Sequence, residues 1–192
     1  HAYRMTFAGS TGVIPEGELK QDGYSNYFIG SNQAMWRTHV GSYAAVRYRD
    51  IWPGIDMEIY SASNALKYNF IVHPGANPSQ IVLEYEGTDG ATITSNGNLL
   101  IRTTVRDVIE SKPYVYQTYG ANEQNKVKCR WQLRHDKEKE IVTLDMGEYD
   151  HQQDLIVDPV LIFSTYTGST ADNWGTTAAY DSHKNTYTAG LV

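Results

Sequence analysis

The chain has 192 residues, with 22 acidic against 16 basic side chains and a formal net charge of −6. That balance argues against the clustered basic face of a nucleic-acid binder and the polybasic patch of a membrane-surface module. Fifteen Tyr, four Trp and four Phe beside sixteen Gly favour an all-β fold.

The first strand expected is His1–Phe7, where Tyr3, Met5 and Phe7 alternate onto one face. Residues 8–24, rich in Gly, Pro and charge, predict a loop. Asn26–Gly30 is short and aromatic, Ala34–Trp36 predicts one helical turn, and Arg37–Val40 returns to an extended form. Val46–Tyr48 predicts a strand and Asp50–Gly54 a turn, because Pro53-Gly54 breaks either regular structure. Ile55–Tyr60 and Leu66–Val72 alternate cleanly about a Ser-Ala-Ser-Asn turn. A helical turn is expected at Pro78-Ser79-Gln80, then a strand over Ile81–Glu86.

Ala91–Thr94 and Asn98–Thr103 flank Asn96-Gly97, a strong hairpin signal because both turn residues must accept positive φ. Val105–Glu110 and Tyr114–Tyr119 follow as strands. Val127–His135 and Glu140–Leu144 predict a hairpin over the charged tip Asp136–Lys139, and Leu155–Val157 a last strand. About a dozen strands with short connections predict a β-sandwich-like domain over residues 1–157. Beyond it, Val160–Gly168, Thr176–Asp181 and Thr186–Gly190, joined by polar turns, read as an incomplete first blade of a β-propeller over 158–192. One blade cannot bury both faces, so the expectation is a longer repeat protein whose chain continues past Val192. Likewise His1 opens in a strand without an initiator Met, so any leader is expected upstream.

These stretches together resemble a known family. NYFIG (26–30), Trp36-Arg37-Thr38, VRYRDIWPGIDMEIY (46–60), LKYNFIVHPGANPSQIVLEYEG (66–87), SKPYVYQ (111–117), LIVDPVLIFSTYTG (155–168) and AAYDSHKNTYTAG (178–190) are similar to the N-terminal domain and first blade of bacterial SBBP-repeat proteins, named for seven-bladed β-propellers. The resemblance implies a large, modular, secreted or cell-surface protein of the kind common in Bacteroidota. Such proteins often carry type IX secretion signals, some tied to gliding motility. It implies no catalytic role for this domain, so no catalytic, cofactor-binding or metal residue is carried over.

Several residues still merit weighing as sites. Asp50, Asp56 and Glu58 crowd one turn as a glycosidase's two carboxylates must, yet the alternation also makes them the solvent face opposite Ile55, Met57 and Ile59. Arg37, Arg47 and Arg49 form a local positive cluster that those acids would pair. His1, His39, His73, His135, His151 and His183 show no metal-ligand spacing, and no Gly-x-Ser-x-Gly elbow is present. Cys129, the only cysteine, excludes an intrachain disulfide and alternates with Val127 and Trp131 as a small buried hydrophobe. Asp172, Asn173, Asp181 and Asn185 are calcium-type oxygen ligands without EF-hand spacing. Trp36, Trp52 and Trp174 lie in or beside loops and could form a sugar platform.

The function expected is therefore that of a non-catalytic extracellular or cell-surface structural or adhesion domain without cofactor. Its partners would be the remaining propeller blades of the same chain and surface glycans or secretion machinery, with no nucleic acid. A carbohydrate-binding module or part of a polysaccharide-active enzyme is the alternative.

Overall fold

The computed structural model of the chain describes residues 3–62, 65–104, 107–120, 123–158, 161–162, 174–180 and 186–191. Its strands run β1 (Arg4–Phe7), β2 (Glu16–Tyr27), β3 (Arg37–Trp52), β4 (Ile55–Ala62), β5 (Ala65–Val72), β6 (Leu83–Glu86), β7 (Ala91–Ile93), β8 (Leu99–Ile101) and β9 (Val108–Glu110). They continue as β10 (Tyr114–Tyr119), β11 (Glu123–Val127), β12 (Cys129–Asp136), β13 (Lys139–Met146), β14 (Leu155–Asp158), β15 (Leu161–Ile162), β16 (Trp174–Tyr180) and β17 (Thr186–Leu191). Two single 3-10 turns, Gln33–Met35 and Pro78–Gln80, sit where the sequence predicts helical turns and are capped by the Asn32 and Asn77 side chains.

The fold is all-β and sandwich-like. A seven-stranded sheet, ordered β11-β10-β14-β5-β4-β3-β2, packs on two four-stranded sheets, β1-β6-β13-β12 and β15-β9-β8-β7. Alternation decides what faces inward. Ile55 and Met57, Tyr68, Phe70 and Val72, Val115, Leu155 and Val157 from the large sheet meet Leu83, Tyr85, Trp131 and Val142, then Ala91, Leu99 and Ile101, in one continuous core. Each fully buried side chain of this size contributes roughly 1.5–3 kcal/mol. Phe7, Trp52, Tyr68 and Phe70 interlock edge to face with centroids 5.4–6.4 Å apart, and the Trp52 indole donates to the Ala8 carbonyl at 2.8 Å.

Three differences from the sequence reading have physical causes. Residues 16–24 are strand, not loop: β2 and the outer half of β3 form an arm exposed on both faces, so no apolar alternation marks it. Gly17 makes room there for the Tyr43 ring, which a Cβ would meet at 2.6 Å. Asp50–Trp52 belongs to β3, because a register shift between Tyr48 and Trp52, with Asp50 at φ +49°, lets the strand continue through an irregularity. Third, Val127–His135 is two strands in different sheets, joined at Lys128. The Asn-Gly hairpin, by contrast, forms as expected between β7 and β8.

Of the blade-like region, β16 and β17 pair antiparallel, and Leu161–Ile162 pairs with β9. The remainder of Val160–Gly168 and the turn at residues 182–185 lie outside the described residues.

Gly54 closes the β3–β4 turn at φ +73°, and a Cβ there would meet the Ala76 Cβ at 2.7 Å. Gly54→Ala combines a disfavoured backbone with a clash and should cost roughly 2 kcal/mol or more. Urea unfolding should show a lower midpoint at unchanged slope; a variant as stable as the parent would mean that the 73–76 loop yields freely.

Candidate functional site

The structure brings Asp50, Asp56 and Glu58 together, though not as an open carboxylate pair. Asp56 shares the outer face of β4 with Glu58, yet it is only 3% exposed, which corrects the expectation of a solvent face. The irregularity in β3 explains this, since it folds backbone and cations over the carboxylate. Its Oδ1 accepts the Asp50 N–H at 2.9 Å, and Asp50 in turn accepts the Gly54 N–H at 2.9 Å. Its Oδ2 faces His73 Nε2 at 3.3 Å, Arg49 Nη1 at 3.8 Å and Arg47 Nη1 at 3.9 Å.

Arg47 also pairs with Glu18 at 3.1 Å and Glu58 at 3.6 Å, and Arg49 with Glu16 at 2.8 Å and Glu18 at 3.3 Å. Arg37 stands apart on the arm, donating to the Ala34 and Trp36 carbonyls. Both Asp56 oxygens face partners and the side chain is buried, so the group organises the turn. The Arg49–Glu16 pair is solvent-exposed and worth at most about 1 kcal/mol, whereas the Arg47 pairs with Glu18 and Glu58 are half-buried.

His73 bridges Asp56 to Asp154, whose Oδ1 lies 3.0 Å from Nδ1. Burial lowers the His73 pKa, but the bonds to Asp154 and Asp56 outweigh it and leave it raised. Of the other histidines, His39 stacks on Tyr24 at 4.4 Å, His135 pairs with Glu140, and His151 lies against Tyr149 at 4.2 Å. His1, His183 and the calcium-type residues Asp172, Asn173, Asp181 and Asn185 fall outside the described residues. Among the described residues no three His, Cys, Asp or Glu side chains are grouped to hold a metal ion. No helix there is long and apolar enough to cross a membrane.

Cys129 is buried with Val127 and Trp131, and burial pushes its thiol up to about 11, so it is protonated at neutral pH. The three loop tryptophans do not form one platform. Trp52 is 2% exposed in the core, whereas Trp36 sits at the tip of the arm, edge to face with Phe28 at 5.2 Å. The side chain of Trp174 is not among those described.

The sequence reading passed over Glu110, a carboxyl buried in the core. It is 1% exposed and accepts hydrogen bonds from Tyr85 and, at 3.4 Å, from Tyr68. Burial, only partly offset by these two bonds, lifts its carboxyl to about 7. One signal was available: in Val108-Ile109-Glu110 the acid takes the same face as Val108, and Ile109 takes the other.

The family model described as a domain of unknown function, DUF7948, matches residues 1–160. The chain belongs to this family. No curated protein and no solved structure matches the chain. In this DUF7948 domain the buried polar clusters tie separate strands and loops together.

Both perturbed joints shift stability in one direction with pH. Glu110 keeps a proton in the folded chain that the unfolded chain has already lost, so its contribution falls as pH rises from 4.5 to about 7. The His73 contribution is whole below its unfolded value of 6.5 and is lost as pH rises through the raised folded value. Urea-derived stability should thus decline between pH 5 and 8, with Glu110 responsible for on the order of 3 kcal/mol. Glu110→Gln, uncharged at every pH and offering one acceptor oxygen and one donor NH2 to the two phenols, should flatten most of that decline; a variant profile parallel to the parent's would show that Glu110 does not hold the proton.

Proposed function

We propose that this DUF7948 domain is a non-catalytic extracellular or cell-surface module that stands ahead of a β-propeller array and makes contacts in structure or adhesion. One observation carries it. Of the eleven large apolar side chains exposed among the described residues, nine lie between Ile14 and Tyr43. They clothe the β2–β3 arm, where Phe28, Ile29 and Met35 are each more than half exposed. An isolated two-stranded arm is marginal in water, and apolar surface gathered on it marks a contact surface. The aromatic stacks along it and the bond from the His39 N–H to the Asn26 side chain keep it shaped for that contact.

The place ahead of a propeller draws support from β15, which extends the sheet of β9 just beyond Asp158, and from the β16–β17 pair that follows. Packing across this junction would cover a sheet edge that otherwise invites unwanted pairing. Together with the resemblance to SBBP-repeat proteins, it favours secretion to a bacterial surface, with type IX export and gliding as the matching context.

Two experiments test the two halves. Leu19→Ser, Ile29→Ser and Met35→Ser combined should leave the melting temperature within a few degrees, because these side chains are more than half exposed and outside the aromatic stacks, yet reduce surface attachment of cells that carry the protein. Undiminished attachment would remove the arm as the contact surface. Binding on a glycan array lost with Trp36→Ala alone would instead favour the carbohydrate-binding alternative. A chain of residues 1–157 should melt below one of residues 1–192, since β9 loses one of its two neighbours; identical melting would count against the junction.

A further inference from the structure

At Lys128 the chain passes from β11, the end strand of the seven-stranded sheet, to β12, the end strand of a four-stranded one. The alternation runs straight through the crossing. Val127, Cys129 and Trp131 are buried, and Lys126, Lys128 and Arg130 between them are exposed. At about 3.3 Å per residue, same-face side chains of a strand repeat every ~7 Å. The three cations therefore form a row at strand spacing.

Beside that row lies a groove of about 680 Å³, with Lys112 adding a fourth cation to its lining and Val115, Val127 and Cys129 among its apolar members. The lone acid in the lining, Asp145, is bonded to Arg130 at 2.6 Å. The Lys126 ammonium rests 4.9 Å above the Tyr114 ring. Among the described residues, Lys112, Lys126 and Lys128 have no carboxylate within ion-pair distance. In a chain of net charge −6, four cations around one groove with one acid are a local reversal of sign that the total conceals.

We infer that this groove binds an extended acidic peptide segment whose carboxylates, at every second residue, face Lys126 and Lys128 and share Arg130 with Asp145. One feature selects a peptide strand: its same-face side chains repeat at the spacing of the cations, because both chains are extended.

The test uses residues 1–192 and two fluorescent decapeptides of identical composition, five Glu-Thr repeats and a block of five Glu followed by five Thr. At low ionic strength the alternating peptide should bind roughly tenfold more tightly by anisotropy. Lys126→Glu with Lys128→Glu should weaken it at least about tenfold, and Lys20→Glu with Lys137→Glu, an equal charge change elsewhere, should not. On the unaltered protein, the alternating peptide should slow amide exchange in β11, a readout that does not depend on any variant folding. Equal binding of both peptides, equal loss in both double variants or unchanged β11 exchange would overturn the proposal. Tighter binding of polygalacturonate than of the alternating peptide would overturn it in favour of an acidic glycan.

Discussion

Three sheets meet on one carboxyl. Tyr68 belongs to the seven-stranded sheet, Tyr85 to the sheet of β1, and Glu110 to the sheet of β9; the two phenols close on the one acid inside the core. Apolar contacts hold sheets together without fixing how they slide, whereas a buried carboxyl with two donors accepts one relative placement. Leaving that acid unpartnered in the interior would be costly, so each sheet constrains the other two. The acid's raised pKa follows from the same burial: in its neutral form it is a joint that needs no counter-charge.

A second constraint sets the direction of β3. The Asp56 carboxylate holds the Asp50 N–H where the backbone takes φ +49°, and Thr11 bonds the Asp50 and Ile51 carbonyls from the other side. Past that point Ile51 and Trp52 turn into the core, and before it the strand runs out into the arm. Gln117 does comparable work beside it, trading bonds with the backbone of Asp150 and Gln153 while fully buried. The loop that carries Asp154 to His73 is thereby pinned to β10.

How legible this was depended on burial. Ile55–Tyr60, Leu66–Val72 and Tyr114–Tyr119 could be read because one face is buried and the other is not, which leaves a period-two trace in the sequence. The arm left no such trace, since Glu16–Tyr27 is solvated on both sides, and its Gly and charged residues resemble a loop. Pairing along its length, rather than a core, makes it a strand. Glu110 was hidden for the opposite reason. An acid in an otherwise apolar alternation announces itself only when its partners are known, and Tyr68 and Tyr85 lie 42 and 25 residues away. Asp56 and Glu58 were correctly placed on one face, but sequence spacing could not show that the chain returns over one of them.

Among the described residues, the apolar arm and the cationic row lie towards the two edges of a single sheet. The β2 edge carries the apolar arm, and the β11 edge carries the cationic row. Seven strands at about 4.8 Å put these edges roughly 30 Å apart, too far for one small ligand to touch both. They also differ in kind. Contacts on the arm would bury apolar area and persist in salt, whereas contacts along the lysine row would weaken as the Debye length shrinks. A rigid sheet between two such edges keeps them pointing apart, so contact at one leaves the other open. For a module whose described interior is filled by its own side chains, the contacts proposed for the arm and the groove would both fall at its margins, where a bridging role between neighbours is physically available.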